Sequence, residues 1–218
     1  MKKIIYLFLL NYTSLFSISA NDFITKAKCD QIIDKRFLKI CYNYDLRAAK
    51  AVSYTLHGDL VNAVNIKKRP YFKVEKLIPR AYRARYKDYT HSGWDRGHLA
   101  PDAAFDWSQE SLDATYFLGN IIPQSRKVNR YIWTKAERYA RFVAVQRGEI
   151  NVVNVVIYPM SPLRIGAIRI AVPVGYYKII YSSDQSFKKC FYYKNSNDII
   201  KKTDRLRNHV VDCNNIKY

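Results

Sequence analysis

The residues with the most chemistry lie in two short words and the stretch that follows them. Gly93-Trp94-Asp95-Arg96-Gly97-His98-Leu99-Ala100-Pro101 sets a carboxylate, a guanidinium and an imidazole side by side. Gly119-Asn120-Ile121-Ile122-Pro123-Gln124 is followed by Asn129, Glu137 and Arg141. An imidazole that is neutral near pH 7 takes a proton from water, so His98 reads as a general base. Gly97 beside it allows an unusual backbone angle or a close approach. Arg96 suits phosphate oxygens and the charge of a transition state, with pairing to Asp95 or Asp102 as the competing use. Asn129 offers a neutral oxygen to a divalent cation that keeps most of its waters, and Asn is also a favoured helix N-cap. Glu137 lies about 12 Å further along if both residues are helical, too far for the two to share one ion directly. It is left to hold a water of that ion, or to pair with Arg141 one helical turn on. A base, a phosphate-binding cation and a cation-holding amide together are the parts of phosphodiester hydrolysis.

These groups need a frame. Ala51 to Leu56 and Tyr71 to Leu77 alternate like strands, and Ile150 to Tyr158 is apolar at nearly every position, as in a central strand buried on both faces. Ala167 to Ile180, broken by Pro173 and Gly175, and Lys189 to Lys194 are further strands, the first demoted toward an edge or bulge by its proline. Ser108 to Leu118 has helical spacing and a Gly119-Asn120 stop. Asn129 to Val145 carries Ile132, Trp133, Ala136, Ala140 and Val143 on one stripe. The pattern predicts an α+β fold, a central and mostly antiparallel sheet with helices on at least one face. No linker or change of composition divides residues 21–218, which read as a single domain.

The two words, in this order and followed by Asn129 and Glu137, resemble the DNA/RNA non-specific endonucleases, a family with a ββα-metal (His-Me finger) active site. The resemblance is strong over about residues 90–145. It implies that His98 is the base, polarised through its other nitrogen by a backbone carbonyl, that Asn129 binds the metal, and that Glu137 holds metal-bound water. Arg96 then stabilises phosphate charge, Asn120 and Gln124 brace the loop presenting Asn129, and Arg141, a basic position of the family's helix, touches phosphate or pairs with Glu137; Arg126 and Arg130 are assigned to substrate by their place in a basic cluster. The implied cofactor is Mg²⁺, with Mn²⁺ as a substitute, the substrates are DNA and RNA, and the products end in 5′-phosphate. One departure stands out. The family's second active-site arginine, expected on an upstream strand in a Tyr-Arg context, meets Thr55 after Tyr54, which leaves Arg80, Arg83 or Arg85 as replacements.

Charge agrees with a polyanionic partner: 37 Lys and Arg face 18 Asp and Glu in 218 residues, a net +19. Lys67-Lys68-Arg69, then Arg80, Arg83, Arg85 and Lys87, then Arg126, Lys127 and Arg130 are clusters suited to phosphates, with Tyr82, Tyr86 and Tyr89 interleaved for stacking on bases. Lys2 and Lys3, the apolar run Ile4 to Leu10, and Ser17-Ile18-Ser19-Ala20 read as a secretion signal, residues 1–20, removed before Asn21. The run is too short to span a bilayer, so the expectation is a periplasmic or extracellular protein with no stable membrane association. Cys29, Cys41, Cys190 and Cys213 then mature in an oxidising compartment, and local pairing, Cys29 to Cys41 and Cys190 to Cys213, is the favoured connectivity. A zinc site lacks the spacing, and no phosphate loop, His-Glu-x-x-His, serine elbow or dinucleotide fingerprint occurs. His57, His91 and His209 lack partners at ligand spacing. Two other outcomes stay open: a non-catalytic cationic protein binding nucleic acid or cell surfaces on a nuclease scaffold, and a nuclease that has an inhibitor or immunity protein as partner.

Overall fold

The computed structural model describes residues 17–198 and 202–216. Strands β1 (Gln31–Asp34), β2 (Leu38–Asn43) and β3 (Ala48–His57) form a meander, and a long irregular stretch leads to β4 (Asp95–His98). Helix α1 (Gln109–Thr115), strand β5 (Ile121–Gln124) and helix α2 (Trp133–Arg147) follow. The chain continues through β6 (Glu149–Ile157), the short pair β7 (Arg164–Ile165) and β8 (Ile170–Ala171), then β9 (Gly175–Tyr181), β10 (Lys188–Lys194) and β11 (Val210–Val211). Among the described residues seven strands make one sheet, in the order β1-β2-β3-β6-β9-β10-β11, with every neighbouring pair antiparallel. The fold is α+β, as expected.

Strand β6 stands fourth in that order, where its apolar side chains are covered from both sides. On one face Trp133, Ala136, Ala140 and Val143 of α2 pack against Val52, Tyr54 and Leu56 of β3, Val152 of β6 and Ile180 of β9. On the other face Ala51, Val153, Val155 and Ile179 are covered by Ile18, Phe23 and Ile24. Cys29–Cys41 and Cys190–Cys213 close the ends of that second layer, the local pairing expected. All four cysteines are bridged, so no thiolate zinc site exists. Most of segment 1–20 lies outside the described residues. Its last residues belong to the fold: the Ile18 N–H donates to Gln185 Oε1 (3.1 Å) and the Ala20 N–H to the Tyr181 hydroxyl (2.9 Å). Among the described residues no helix is long and apolar enough to cross a membrane.

Three expectations change. Tyr71 to Leu77 is no strand. Its backbone makes a single parallel bridge, Lys73 with Phe117, and its alternation reflects Phe72 and Val74 leaning on Leu118 and Ile121 while Tyr71 faces solvent. The segment Ala167 to Ile180 divides at Pro173 into β8 and β9, because proline has no N–H to give a ladder. The long helix starts before Asn129: residues 126–127 are already helical, and Val128–Ile132 forms a π-helical turn that runs into α2. Asn129 is therefore not an N-cap. Gly148, with φ +81°, ends α2 as a left-handed cap.

Candidate active site

Strand β4 pairs antiparallel with β5, setting Asp95 opposite Gln124 and His98 opposite Ile121, and the helix that follows completes a ββα unit. Gly97 is required by packing. A Cβ there would lie 2.6 Å from the Gln124 Cβ, so neither an unusual φ nor substrate is its reason. Asn120 is buried and its amide is fully used: Nδ2 donates to the carbonyls of Ala100 (2.9 Å) and Thr115 (2.9 Å), and Oδ1 accepts from the Ala100 N–H (2.8 Å). It ties the chain after His98 to the end of α1, and it does not reach the loop presenting Asn129. That loop is held by Ser125, whose N–H donates to Asn195 Oδ1 (2.8 Å) and whose carbonyl accepts from the Asn129 N–H (2.9 Å). Asn195 also donates to the carbonyls of Pro123 (3.1 Å) and Pro173 (2.9 Å). No sequence signal points to Asn195, which arrives from the far end of β10.

The His98 ring stands between Phe72 (centroids 5.4 Å) and Tyr116 (4.9 Å). Its Nε2 is buried with no hydrogen-bond partner. The carbonyl expected at the other nitrogen is not found: among the described residues nothing hydrogen-bonds the ring, and packing alone orients it. Its pKa is lowered to about 4, chiefly by loss of hydration, with Asp102 raising it and Arg69 lowering it to a smaller extent. The imidazole is thus neutral at pH 7 with a lone pair to offer.

Arg69 is the arginine that the sequence reading missed. Its Nη2 donates to Asp106 Oδ2 (3.0 Å), its Nε lies 3.4 Å from Asp102 Oδ2, and its Nη1 is buried without a partner. Tyr116 holds the same Asp102 carboxylate through its hydroxyl (2.8 Å). Thr55 points to the opposite face of the sheet, where Oγ1 donates to Asn151 Oδ1 (2.9 Å). Side chains alternate along β3, so no side chain at position 55 reaches the site. Of the replacements considered, Arg83 is occupied with the carbonyls of Ile78 and Lys76. In the sequence Arg69 is one member of the basic run Lys67-Lys68-Arg69. It lines a cleft of about 190 Å³ together with Arg141, Asn65 and Asp106.

Arg96 pairs with neither Asp95 nor Asp102. Its guanidinium lies 3.6 Å from the Tyr86 ring centroid, Nη2 donates to the Tyr86 carbonyl (3.1 Å), and Nε is buried without a partner. Asp95 is engaged by Arg130 at 2.7 and 3.0 Å, by Asn129 Nδ2 at 3.1 Å and by Arg126 at 3.9 Å. Burial would raise the Asp95 pKa, but these hydrogen bonds and charges hold it below the usual carboxylate range. Arg130 is thereby committed to a carboxylate, which departs from its expected use on substrate, and Arg126 borders the same pair. Of the three tyrosines expected to stack on bases, Tyr89 is buried with its hydroxyl on the Ile121 carbonyl, and Tyr82 stacks on Tyr44. Tyr86 alone of the three is exposed.

With its amide nitrogen given to Asp95, Asn129 keeps Oδ1 for a cation. Among the described residues no three His, Cys, Asp or Glu side chains cluster as a metal cage. One amide oxygen suits Mg²⁺, which keeps several waters, and it does not suit a fully dehydrated zinc or calcium site. Glu137 turns from α2 toward the sheet. Burial pushes its carboxyl pKa well up, Lys178 and Arg141 pull it down, and Asp102 adds to the rise. No ion pair joins Glu137 to Arg141.

The chain matches the family described as DNA/RNA non-specific endonuclease over residues 19–218. It is 32% identical over 120 residues to the mitochondrial nuclease of Saccharomyces cerevisiae, covering 54% of this chain and 36% of that protein. It is 32% identical over 111 residues to human mitochondrial endonuclease G, covering 51% and 37%. A nuclease of Syncephalastrum racemosum is 44% identical over 71 residues, 32% of this chain and 22% of that protein. The matched spans are thus between about a fifth and little more than a third of these relatives' length. The solved structure of the EndoG/EndoGI complex aligns with TM-score 0.75 at 25% identity, covering 83% of this chain and 80% of that one.

Proposed function

We propose, from the premise that this chain belongs to the DNA/RNA non-specific endonuclease family, that it is an exported, Mg²⁺-dependent enzyme that hydrolyses phosphodiester bonds inside DNA and RNA and leaves 5′-phosphate ends. The observation that carries the reading is the unpartnered, neutral His98 Nε2, held in the same site as two arginines that each keep a buried, unpaired N–H. Arg69 Nη1 and Arg96 Nε offer those donors to phosphate oxygens, and the two charges oppose the negative charge that grows on a pentavalent phosphorus. His98 accepts the proton of the attacking water, and Asp102 favours the imidazolium that results. Asn129 Oδ1 would hold Mg²⁺ or Mn²⁺ with Glu137 facing its waters, and the bound ion would supply charge neutralisation at the leaving oxygen. Arg141 on the cleft wall extends the cationic surface to neighbouring phosphates.

Export to a periplasmic or extracellular location is supported by the two disulfides and the Lys2-Lys3 start with its apolar run. A protein inhibitor or immunity protein is a further partner of the cationic cleft, by analogy with the complex in which the solved neighbour was captured. The test is incubation of the purified protein with supercoiled plasmid and with RNA, in Mg²⁺, in EDTA, and with His98→Ala. Both polymers should be cut only with metal, and the variant should turn over at least about 10²-fold more slowly while keeping its DNA affinity. Salt-sensitive binding without cleavage would sink the enzyme and favour a cationic binding protein.

A further inference from the structure

Lys178 sits in the middle of β9, faces α2 and has no exposed surface. Its ammonium donates to Asn154 Oδ1 (2.8 Å) and to the Tyr54 hydroxyl (3.3 Å), and stands 4.2 Å from the centroid of the Trp133 ring. No carboxylate forms an ion pair with it among the described residues. Removing an ammonium from water without a paired anion costs several kcal/mol, and a methionine of similar length would fill the same space. Stability therefore does not account for a cation here.

Its neighbours lead to the site in two directions. Trp133 lies one helical turn before Glu137; burial pushes the pKa of the Lys178 ammonium down to about 7, Glu137 is the acidic charge that opposes this, and Arg141 adds to the fall. In the other direction Asn154 Nδ2 donates to the Leu99 carbonyl (2.7 Å), the residue after His98. One buried charge thus stands between the helix carrying Glu137 and the strand carrying His98.

We propose that Lys178 is a positioning residue of the nuclease site: its ammonium supplies the positive charge that faces Glu137 across the interface of α2 with the sheet, and through Asn154 it fixes the backbone that follows His98. The inference rests on the nuclease reading and on the roles given there to Glu137 and His98.

The experiment compares wild type with Lys178→Met, which keeps length and removes charge, and Lys178→Arg, which restores charge. Thermal midpoint, kcat, KM for DNA and the Mg²⁺ concentration giving half activity are measured for each. Lys178→Met should stay folded and hold its KM for DNA within about twofold, yet lose about tenfold in kcat or need about tenfold more Mg²⁺, the usual scale for groups supporting a metal site. Lys178→Arg should recover part of that loss. In a Glu137→Gln background Lys178→Met should cost less than it does in wild type, since one of its two routes to the site is already gone. A Lys178→Met protein with wild-type kcat and Mg²⁺ requirement, or one with the same loss in both backgrounds, would overturn the inference and leave the nuclease reading intact. If Lys178→Met does not fold, Lys178→Gln, which keeps a donor to Asn154 without the charge, is judged by the same outcomes. A wild-type protein that cuts nothing with Mg²⁺ or Mn²⁺ would overturn both.

Discussion

His98 loses most of its basicity to its surroundings, and the sign of that change makes a prediction. Its pKa falls from 6.5 to about 4 on folding, because the ring between Phe72 and Tyr116 is poorly hydrated. Between those values the unfolded chain binds the proton and the folded one does not, so this residue's contribution to stability is complete above the upper value and is lost as pH falls toward the lower. The thermal midpoint of wild type should therefore drop more steeply from pH 6.5 to 4 than that of His98→Ala, as scanning calorimetry at stepped pH would show. Parallel curves would mean that the ring is hydrated. At this scale the sequence supplied residue types, and the structure sets His98 and Asn129 on one ββα unit. The sequence was misleading where chemistry depends on direction: Thr55 occupies a strand position whose side chain leaves on the wrong face, and Arg69 lay unnoticed in a basic run until Asp102 and Asp106 turned it into the site.

The ββα unit is short, and its accuracy comes from outside. Strand β5 is completely buried, and the helical turn after it starts from Ser125, whose N–H ends on Asn195. Asn195 serves three backbone groups there, so Asn195→Ala leaves the Ser125 N–H and the Pro173 carbonyl buried without a partner and the Pro123 carbonyl with only the Tyr176 hydroxyl (3.5 Å), at about 1–3 kcal/mol for such a loss. For a chain of this size that corresponds to a fall in thermal midpoint of at least about 2 °C, and kcat should fall with it because Asn129 is presented from the same turn. A variant with an unchanged melt and full activity would show that β5 and the helix hold themselves. The π-helical turn Val128–Ile132 adds a residue to the winding just where Asn129 meets Asp95. Periodicity revealed the helix and its apolar stripe, but a single extra residue in one turn leaves no trace in a pattern read over many residues.

At the scale of the molecule one antiparallel sheet carries the site on one face and its covalent bracing on the other. Both disulfides lie on the far layer, with the residues that cover Ala51, Val153 and Ile179. Their closed loops, 12 and 23 residues in sequence separation, each restrict the unfolded chain by about 3 kcal/mol in the entropy model. Replacing Cys190 and Cys213 together by Ala should lower the thermal midpoint by about 6–12 °C while activity at 25 °C is kept, measured by calorimetry beside a plasmid assay. Loss of activity in a variant that remains folded would place the bridge in the site's support. A net charge of +19 suits an anionic polymer, and Arg69 and Arg141 line one cleft among the described residues.

The sequence by itself determined which chemistries were present, the central strand, the long helix and the overall charge. Each is a property of residue type or of spacing within one segment: an apolar run must be buried and a stripe must face a core, whereas the connectivity of four cysteines, three ways open in the sequence, was decided by the fold. Tertiary structure alone decided which arginines keep a buried, unpaired N–H, that Asn120 braces the chain after His98, that Asn195 steadies the Asn129 turn, and that Lys178 lies between the helix of Glu137 and the strand of His98. Those relations join side chains from distant segments across a sheet face, and they exist only once β3, β4, β6, β9 and the helix between β5 and β6 have packed. A one-dimensional pattern records what each segment buries and not which segment it meets.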